Sequence, residues 1–166
     1  YNIDGGKFWK NNSVEIEKSR KKGIRVNEDT FYLNSFIRGA HNGQFTNLSN
    51  TKLREFGARQ RFYPGIPELF KKTKDLLNDK SYNEYGIQVE HYIVSTGFAE
   101  IIRGSTLNDY VEDIWGCELL EDENGLINEI VYTIDNTTKT RAIFEINKGK
   151  DIPVNSKIPQ NLRRVR

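Results

Sequence analysis

The sequence predicts an α/β protein in two parts, a helical segment followed by a core in which helices and strands alternate. Before residue 63, apolar side chains recur at helical spacing between short polar turns. The turn Tyr63-Pro64-Gly65 marks a change of pattern. After it, stretches with a helical period alternate with short stretches rich in β-branched and aromatic residues. We therefore expect a helical subdomain over residues 1–62 and an α/β core over residues 63–166.

Composition limits the classes of function that the chain can have. Its 166 residues suit one domain, or a core with a small second part, and 36% hydrophobic with 29% charged residues is typical of a soluble globular protein. There is no apolar run of about 20 residues and no signal-peptide pattern, so we expect a cytoplasmic protein without a membrane partner. The chain starts with Tyr1 and contains no methionine, which indicates a piece of a longer protein. Composition does not indicate an oligomeric state.

Two features with possible chemistry have simpler interpretations. Cys117 is the only cysteine, which excludes an intramolecular disulfide and a zinc-binding cysteine cluster. We expect it to be a small buried apolar residue rather than a nucleophile. The terminal stretch Arg163–Arg166 holds three arginines that could contact phosphates, but the net charge of +2 is too small to argue for nucleic acid. A solvated tail is the favoured interpretation, and nucleic acid is not an expected partner.

Capping residues and glycines predict three helices before residue 63. The first carries Phe8 and Trp9 and ends near Gly23. The other two have alternative starts. The second is capped by Asp29 or Thr30 and ends at Gly39, and the third is capped by Ser49 or Asn50 and ends at Gly57.

The core begins with a helix that has Pro67 in its first turn, and an inner parallel strand follows over Ile87–Val94. The strand leads directly into Ser95-Thr96-Gly97 and then a short helix beginning near Phe98. A helix, a strand and a second helix in succession predict a parallel, Rossmann-like sheet. Ligands bind such sheets at the carboxyl ends of strands, where hydroxyls and free backbone N–H groups can hold an anion. Ordinary helix capping is the alternative explanation of Ser95 and Thr96.

A β-hairpin and a helix follow. Trp115–Leu120 and Leu126–Ile134 flank the turn-forming pair Asn124-Gly125. A helix is predicted from about Lys139 to Asn147, with capping side chains in residues 135–138 and Gly149 as its stop. Lys139 lies in the first turn, where a cation opposes the helix dipole. This position suggests a bound anion, and a solvated surface lysine is the alternative.

In this order, the segments Tyr63–Leu69, Tyr92–Gly97, the hairpin and Thr138–Phe144 resemble the haloacid dehalogenase-like superfamily of phosphohydrolases, in its phosphoserine-phosphatase-like form. The resemblance implies a Rossmann-like three-layer core, with residues 1–62 as the helical cap. It also implies magnesium, a small phosphorylated substrate and an aspartyl-phosphate mechanism. Ser95 matches the second motif, with the backbone of Thr96 and Gly97 beside it, and Lys139 matches the third.

Three further positions bear on this resemblance. Lys148 is a rival for the third motif, but it lies at the helix end where a cation only complements the dipole. The first motif, Asp-x-Asp after a buried strand, has no match, because Asn2–Gly6 follows Tyr1 alone and its Asp4 is interpreted as coincidental. Asp151 has no acidic partner and does not match the fourth motif.

We therefore expect the nucleophile and the magnesium ligands to lie outside this chain, and the chain alone to be inactive. The alternative is a non-catalytic domain that binds an anion or a protein partner through the same fold.

Overall fold

A computed structural model describes residues 1, 3–77, 82 and 84–149, and within them the chain is a mixed α/β protein, as the sequence predicts. Its helices are α1 (Gly5–Lys21), α2 (Glu28–His41), α3 (Asn50–Gly57), α4 (Glu68–Leu76), α5 (Ala99–Arg103) and α6 (Lys139–Lys148), with a 3-10 helix at Thr106–Tyr110. Its strands are β1 (Tyr92–Phe98), β2 (Asp113–Glu121) and β3 (Ile127–Tyr132), in the sheet order β1-β2-β3. None of the described helices is both long and apolar enough to cross a membrane.

The chain forms two compact units. The first joins Tyr1–Lys52 to Glu118–Thr133, and the second joins Leu53–Cys117 to the chain from Ile134 onward. Strand β2 therefore begins in the second unit and ends in the first. A cap over residues 1–62 and a core over residues 63–166 stay predictions.

In the first unit, α1 packs on α2, and α2 packs on β3. Aromatic rings fill the space between the helices, with Phe36 stacked on Phe45 at 5.2 Å and Phe8 at 5.0 Å from Phe36. Leu33 and Ile127 have no exposed surface. Burying these apolar side chains is the main favourable contribution to the stability of the unit.

Short polar side chains start the first three helices, as helix capping requires. The carboxylate of Asp4 accepts the backbone N–H of Lys7 at 3.1 Å, and the hydroxyl of Ser49 accepts that of Lys52 at 3.0 Å. The predicted start of α2 is wrong, because the side chain of Asn27 caps this helix, instead of Asp29 or Thr30.

The predicted end of α2 at Gly39 is also wrong, since the helix continues to His41. Gly39 packs against the ring of Phe45, and a Cβ at this position would lie 2.2 Å from the Phe45 Cδ2 atom. The glycine therefore permits close packing within the helix and does not end it.

The second unit contains a parallel strand pair. β1 and β2 run parallel, with Tyr92 opposite Asp113 and Val94 opposite Trp115, and α5 with the 3-10 helix connects them. The predicted strand at Ile87–Val94 is wrong in its bounds, because β1 covers Tyr92–Phe98 and Ile87 is 44% exposed outside it. Among the described strands β1 also lies at the edge of the sheet, contrary to the predicted inner position.

The predicted hairpin and last helix are confirmed. β2 and β3 are antiparallel, and the Asp122 carboxylate in their turn accepts the backbone N–H groups of Asn124 at 2.9 Å and Leu126 at 3.0 Å. Helix α6 begins at Lys139 and packs on β1, and Gly149 after it has a φ of 92°. Pro67, predicted in the first turn of α4, is the residue just before that helix.

Candidate functional site

The segment Ser95-Thr96-Gly97 forms a bulge in β1. Regular pairing stops at Val94, opposite Trp115, and resumes at Phe98, opposite Cys117. The three residues of the segment therefore lie opposite a single residue of β2, Gly116. Ser95 and Thr96 therefore lie within a strand, and their predicted position at a strand end is wrong. The following helix α5 starts at Ala99 and has five residues. A bulge interrupts the ladder and redirects side chains, which is why bulges occur next to active sites.

Ser95 organises the bulge through its own hydroxyl. Its half-buried Oγ accepts the backbone N–H of Gly97 at 3.0 Å. A hydroxyl has one proton and two acceptor positions, so this bond leaves the Ser95 proton available. Among the described residues, none accepts a hydrogen bond from this hydroxyl. The bulge thus presents a positioned hydrogen-bond donor.

Cys117 links the bulge to the segment that leads into α6. The thiol is 1% exposed and donates to the carbonyl of Thr96, at a distance of 3.3 Å. Its sulfur also lies 3.5 Å from the backbone nitrogen of Ile134. The prediction of a small buried residue is confirmed. The bulge and the approach to α6 therefore share one buried side chain.

Lys139 is the first residue of α6, and the preceding turn fixes the start of that helix. The Asp135 carboxylate accepts the backbone N–H groups of Thr137 at 2.9 Å and Thr138 at 2.7 Å, and the Asp135 carbonyl accepts that of Lys139 at 3.1 Å. The Lys139 side chain is half-buried, and no acid pairs with it in the described part of the chain. A half-buried, unpaired cation at the positive end of a helix favours the binding of an anion.

Lys148, the rival for the same role, lies at the other end of α6 and is 4% exposed. Its ammonium lies 5.1 Å from the centroid of the Phe144 ring, a cation–π contact. Lys148 therefore contributes to the packing of α6 at its C-terminal end. Lys139 lies at the opposite end, next to the Asp135 turn.

The opening stretch has a structural explanation. Asp4 is exposed and caps α1. A carboxylate in this position stabilises the helix by satisfying an otherwise unpaired N–H, which agrees with interpreting the stretch as coincidental. Asn2, Asp151 and Arg163–Arg166 lie outside the described residues.

The described residues do not fit a magnesium site. Magnesium prefers several oxygen ligands, mainly carboxylates and waters. Within residues 1, 3–77, 82 and 84–149, no three His, Cys, Asp or Glu side chains lie close enough together to hold a metal ion. The Asp135 carboxylate, which is the acid nearest to Lys139 in sequence, is occupied by backbone N–H groups.

Comparison with known proteins gives a relative whose name states no activity. A protein of Borreliella burgdorferi, which carries the name "Uncharacterized protein", is 31% identical to this chain over 180 positions. The match covers 99% of this chain and 62% of the relative, so the chain spans about three-fifths of the relative's length. No protein-family profile matches the chain, and no solved structure matches it.

The sequence predicts Ser95, Thr96, Gly97 and Lys139 as site residues. The structure adds two features that connect their segments, the bulge in β1 and the buried thiol of Cys117. The bulge in β1 has no local sequence signal, because it depends on the register with β2. The bridging position of Cys117 likewise depends on which backbone groups reach a buried thiol. Asp135 lies among the capping side chains that the sequence predicts in residues 135–138.

Proposed function

We propose that this chain is part of a phosphohydrolase of the haloacid dehalogenase-like type, which hydrolyses the phosphate ester of a small molecule through an aspartyl-phosphate. One observation carries the proposal. The bulge with Ser95, Thr96 and Gly97 and the segment leading to Lys139 contact the same buried thiol of Cys117, and α6 packs on β1. The two expected phosphate-binding segments therefore adjoin each other in the second unit.

In the proposed reaction, the Ser95 hydroxyl donates a hydrogen bond to an oxygen of the phosphoryl group, beside the backbone of Thr96 and Gly97. The Lys139 ammonium compensates the negative charge on the same group. Phosphoryl transfer is catalysed chiefly by positioning and by stabilising charge on the equatorial oxygens, so a fixed donor and a cation suit it. Because the Asp135 turn and the bulge hold both segments in place, little reorganisation would be needed on binding.

The nucleophilic aspartate and the magnesium ligands belong, in this proposal, to a longer form of the protein. Magnesium would there supply further charge compensation at the phosphoryl group. The described residues do not fit such a site, and the steps assigned to Ser95 and Lys139 do not pass through the metal.

Activity measurements on a longer form and on this chain test the proposal. With magnesium and a generic phosphomonoester, we expect turnover by the longer protein and none by the 166-residue chain. In the longer protein, Lys139→Ala should lower kcat by about a hundredfold or more, because it removes charge stabilisation in the transition state. Lys72→Ala, at an exposed lysine of α4, is the matched control and should leave kcat unchanged. Asp4→Ala should also have little effect.

Two results would contradict this assignment. If Lys139→Ala retains full turnover while Asp4→Ala abolishes it, the opening stretch carries the chemistry and the site is wrong. If the longer protein has no turnover, but this chain binds orthovanadate and loses that binding in Lys139→Ala, the non-catalytic anion-binding domain is the correct alternative.

A further inference from the structure

A cleft of about 270 Å³ lies between α1 and α2 in the first unit. Two of its walls are the rings of Trp9 and Tyr32, whose centroids are 5.5 Å apart at an interplanar angle of 61°. The buried side chains of Asn12 and Ile16 line it further. Trp9 is 51% exposed, so much of this residue remains open to solvent beside the cleft.

Two carboxylates line the same cleft, and they differ in their partners. Glu28 forms an ion pair with Arg20 at 2.7 Å. Asp29 is half-buried and, among the residues that the structure describes, has no ion-pair or hydrogen-bond partner. An acid in the first turn of α2 stabilises the helix through its dipole, but the dipole does not account for the aromatic walls beside it. The cleft therefore combines two aromatic side chains with a carboxylate that has no ion-pair partner among the described residues.

We propose that this cleft binds a small organic cation whose ammonium group carries methyl groups. The faces of tryptophan and tyrosine attract cations, and the methyl groups of such a ligand also bury apolar surface. Asp29 supplies the counter-charge and disfavours anions. The inference concerns the first unit alone and does not rest on the proposed hydrolase function.

Two polar side chains that line the cleft, Asn12 and Ser13, are engaged in hydrogen bonds within the protein. The carbonyl oxygen of the Asn12 side chain already accepts the hydroxyl of Ser35, and the Asn12 amide donates to the carbonyl of Phe8 at 3.0 Å. The hydroxyl of Ser13 donates to the carbonyl of Trp9 at 3.2 Å. The carboxylates of Glu28 and Asp29 can accept hydrogen bonds from a primary ammonium, so the preference for a methylated ammonium rests on the contact of its methyl groups with the two aromatic side chains.

Choline is the probe, and the two tryptophans provide an internal control. In proton–nitrogen correlation spectra of the full chain, choline should shift the indole signal of Trp9 saturably. The indole of Trp115, which donates to Glu145 at 2.8 Å in the other unit, should not move. The neutral tert-butyl analogue of choline has the same shape without the charge and should bind about tenfold more weakly.

Variants separate the site from general charge effects. Asp29→Asn removes the counter-charge and Tyr32→Leu removes one aromatic wall, and each should weaken choline binding about tenfold. Glu17→Gln is the matched control, because it removes a negative charge from the exposed face of α1 outside this cleft. It should leave binding unchanged. Circular dichroism checks that each variant is folded.

Three results would overturn the proposal. The first is the absence of a saturable Trp9 shift with choline. The second is equal binding of choline and its neutral analogue, which would indicate an apolar cleft without cation recognition. The third is an equal loss of binding in Glu17→Gln and Asp29→Asn, which would indicate attraction to the net charge of α1 and α2 rather than a site.

Discussion

Glu100 is a buried carboxylate held between two arginines in the second unit. It is 7% exposed, and its oxygens accept hydrogen bonds from Arg54 and from Arg103, the latter at 2.7 Å. Burial alone would raise the pKa of this carboxyl, but the hydrogen bonds and charges of the two guanidinium groups outweigh burial, so its pKa lies below the ordinary value. The folded state therefore favours the ionised form.

This shift predicts a loss of stability in acid. A carboxyl with a lowered folded-state pKa stabilises the fold above its unfolded-state pKa, and the contribution disappears as the pH falls through the folded value. The urea concentration at the midpoint of unfolding should therefore decrease below about pH 5. Glu100→Gln should lower the free energy of unfolding at pH 7 by about 2 kcal/mol and flatten this acid decrease. An unchanged acid slope in the variant would show that other carboxyls cause it.

His91 shows the opposite charge preference. Its Nε2 lies 2.7 Å from the Oγ1 of Thr73, and its ring packs edge-on against Phe70 at 5.0 Å. Burial, and next the positive charge of Lys74, lower the pKa of this imidazole, and Glu112 offsets them only in part. Its Nδ1 is buried without a partner among the described residues. The folded state therefore favours the neutral ring.

A second pH window follows for His91. Because the unfolded chain takes up the imidazole proton at a higher pH than the folded chain, stability is complete above the unfolded pKa of about 6.5 and falls as the pH decreases below it. Between about pH 7 and pH 5, the wild-type free energy of unfolding should drop, and His91→Phe should drop less. Urea unfolding midpoints of the wild type and of His91→Phe, measured at pH 7 and pH 5, test this. A variant that loses as much as the wild type would exclude His91 as the source.

Two glycines set the contact between α3 and α5. A Cβ at Gly57 would lie 2.0 Å from the carbonyl oxygen of Ile101, and one at Gly104 would lie 2.1 Å from that of Arg54. Both contacts are with backbone, which cannot move away as a flexible side chain can. The two segments therefore approach each other at a distance that only glycine permits.

Alanine substitution tests this contact. Gly57→Ala and Gly104→Ala should each lower the free energy of unfolding by more than about 2 kcal/mol, because the backbone must separate. Gly5→Ala is the matched control at the start of α1, where nothing lies within 4 Å of an added Cβ. It should leave stability unchanged or raise it by about 0.5 to 1 kcal/mol. Thermal unfolding of all three variants measures the difference, and similar melting temperatures would contradict the close approach.

Local signals predicted those elements that local chemistry determines. The cap Ser49, the Asn124-Gly125 turn and the start of α6 at Lys139 depend on residues close in sequence, and all are present. The bounds of β1 depend instead on the register with β2, so the β-branched run at Ile87–Val94 gave the wrong start and end. Composition indicates strand propensity, but pairing decides which residues form the ladder.

Gly39 and the candidate site also separate features that local sequence determines from features that depend on distant contacts. Gly39 resembles a helix stop in sequence, yet its role is contact with Phe45, a residue outside the helix. The candidate residues Ser95 and Lys139 were recognisable because their motifs are short and contiguous. The thiol of Cys117, which connects the two segments, was not recognisable, because residues 96, 117 and 134 are distant in sequence.

The first unit is discontinuous in sequence, since the helices of residues 1–52 are completed by the hairpin residues 118–133. The backbone N–H of Ile127 donates to the carbonyl of Leu48 at 3.0 Å, and the Asn50 side-chain amide donates to the carbonyl of Leu119 at 3.0 Å. His41 lies 3.2 Å from the Ile127 carbonyl. The helical segment thus depends on hydrogen bonds and apolar contacts that it cannot make alone.

A fragment of residues 1–62, the predicted cap, should therefore fold poorly by itself. It lacks Ile127, which has no exposed surface in the full chain, and isolated helices of this length are marginally stable in water. We expect the fragment to give a weaker helical circular dichroism signal per residue than fully formed α1, α2 and α3 would give. We also expect it to melt without a cooperative transition. In the full chain, Ile127→Ala should lower the free energy of unfolding by about 2 to 5 kcal/mol, whereas Val131→Ala, at a position 50% exposed on the same strand, should have a small effect. A fragment that melts cooperatively at the temperature of the full chain would instead establish residues 1–62 as an independent cap.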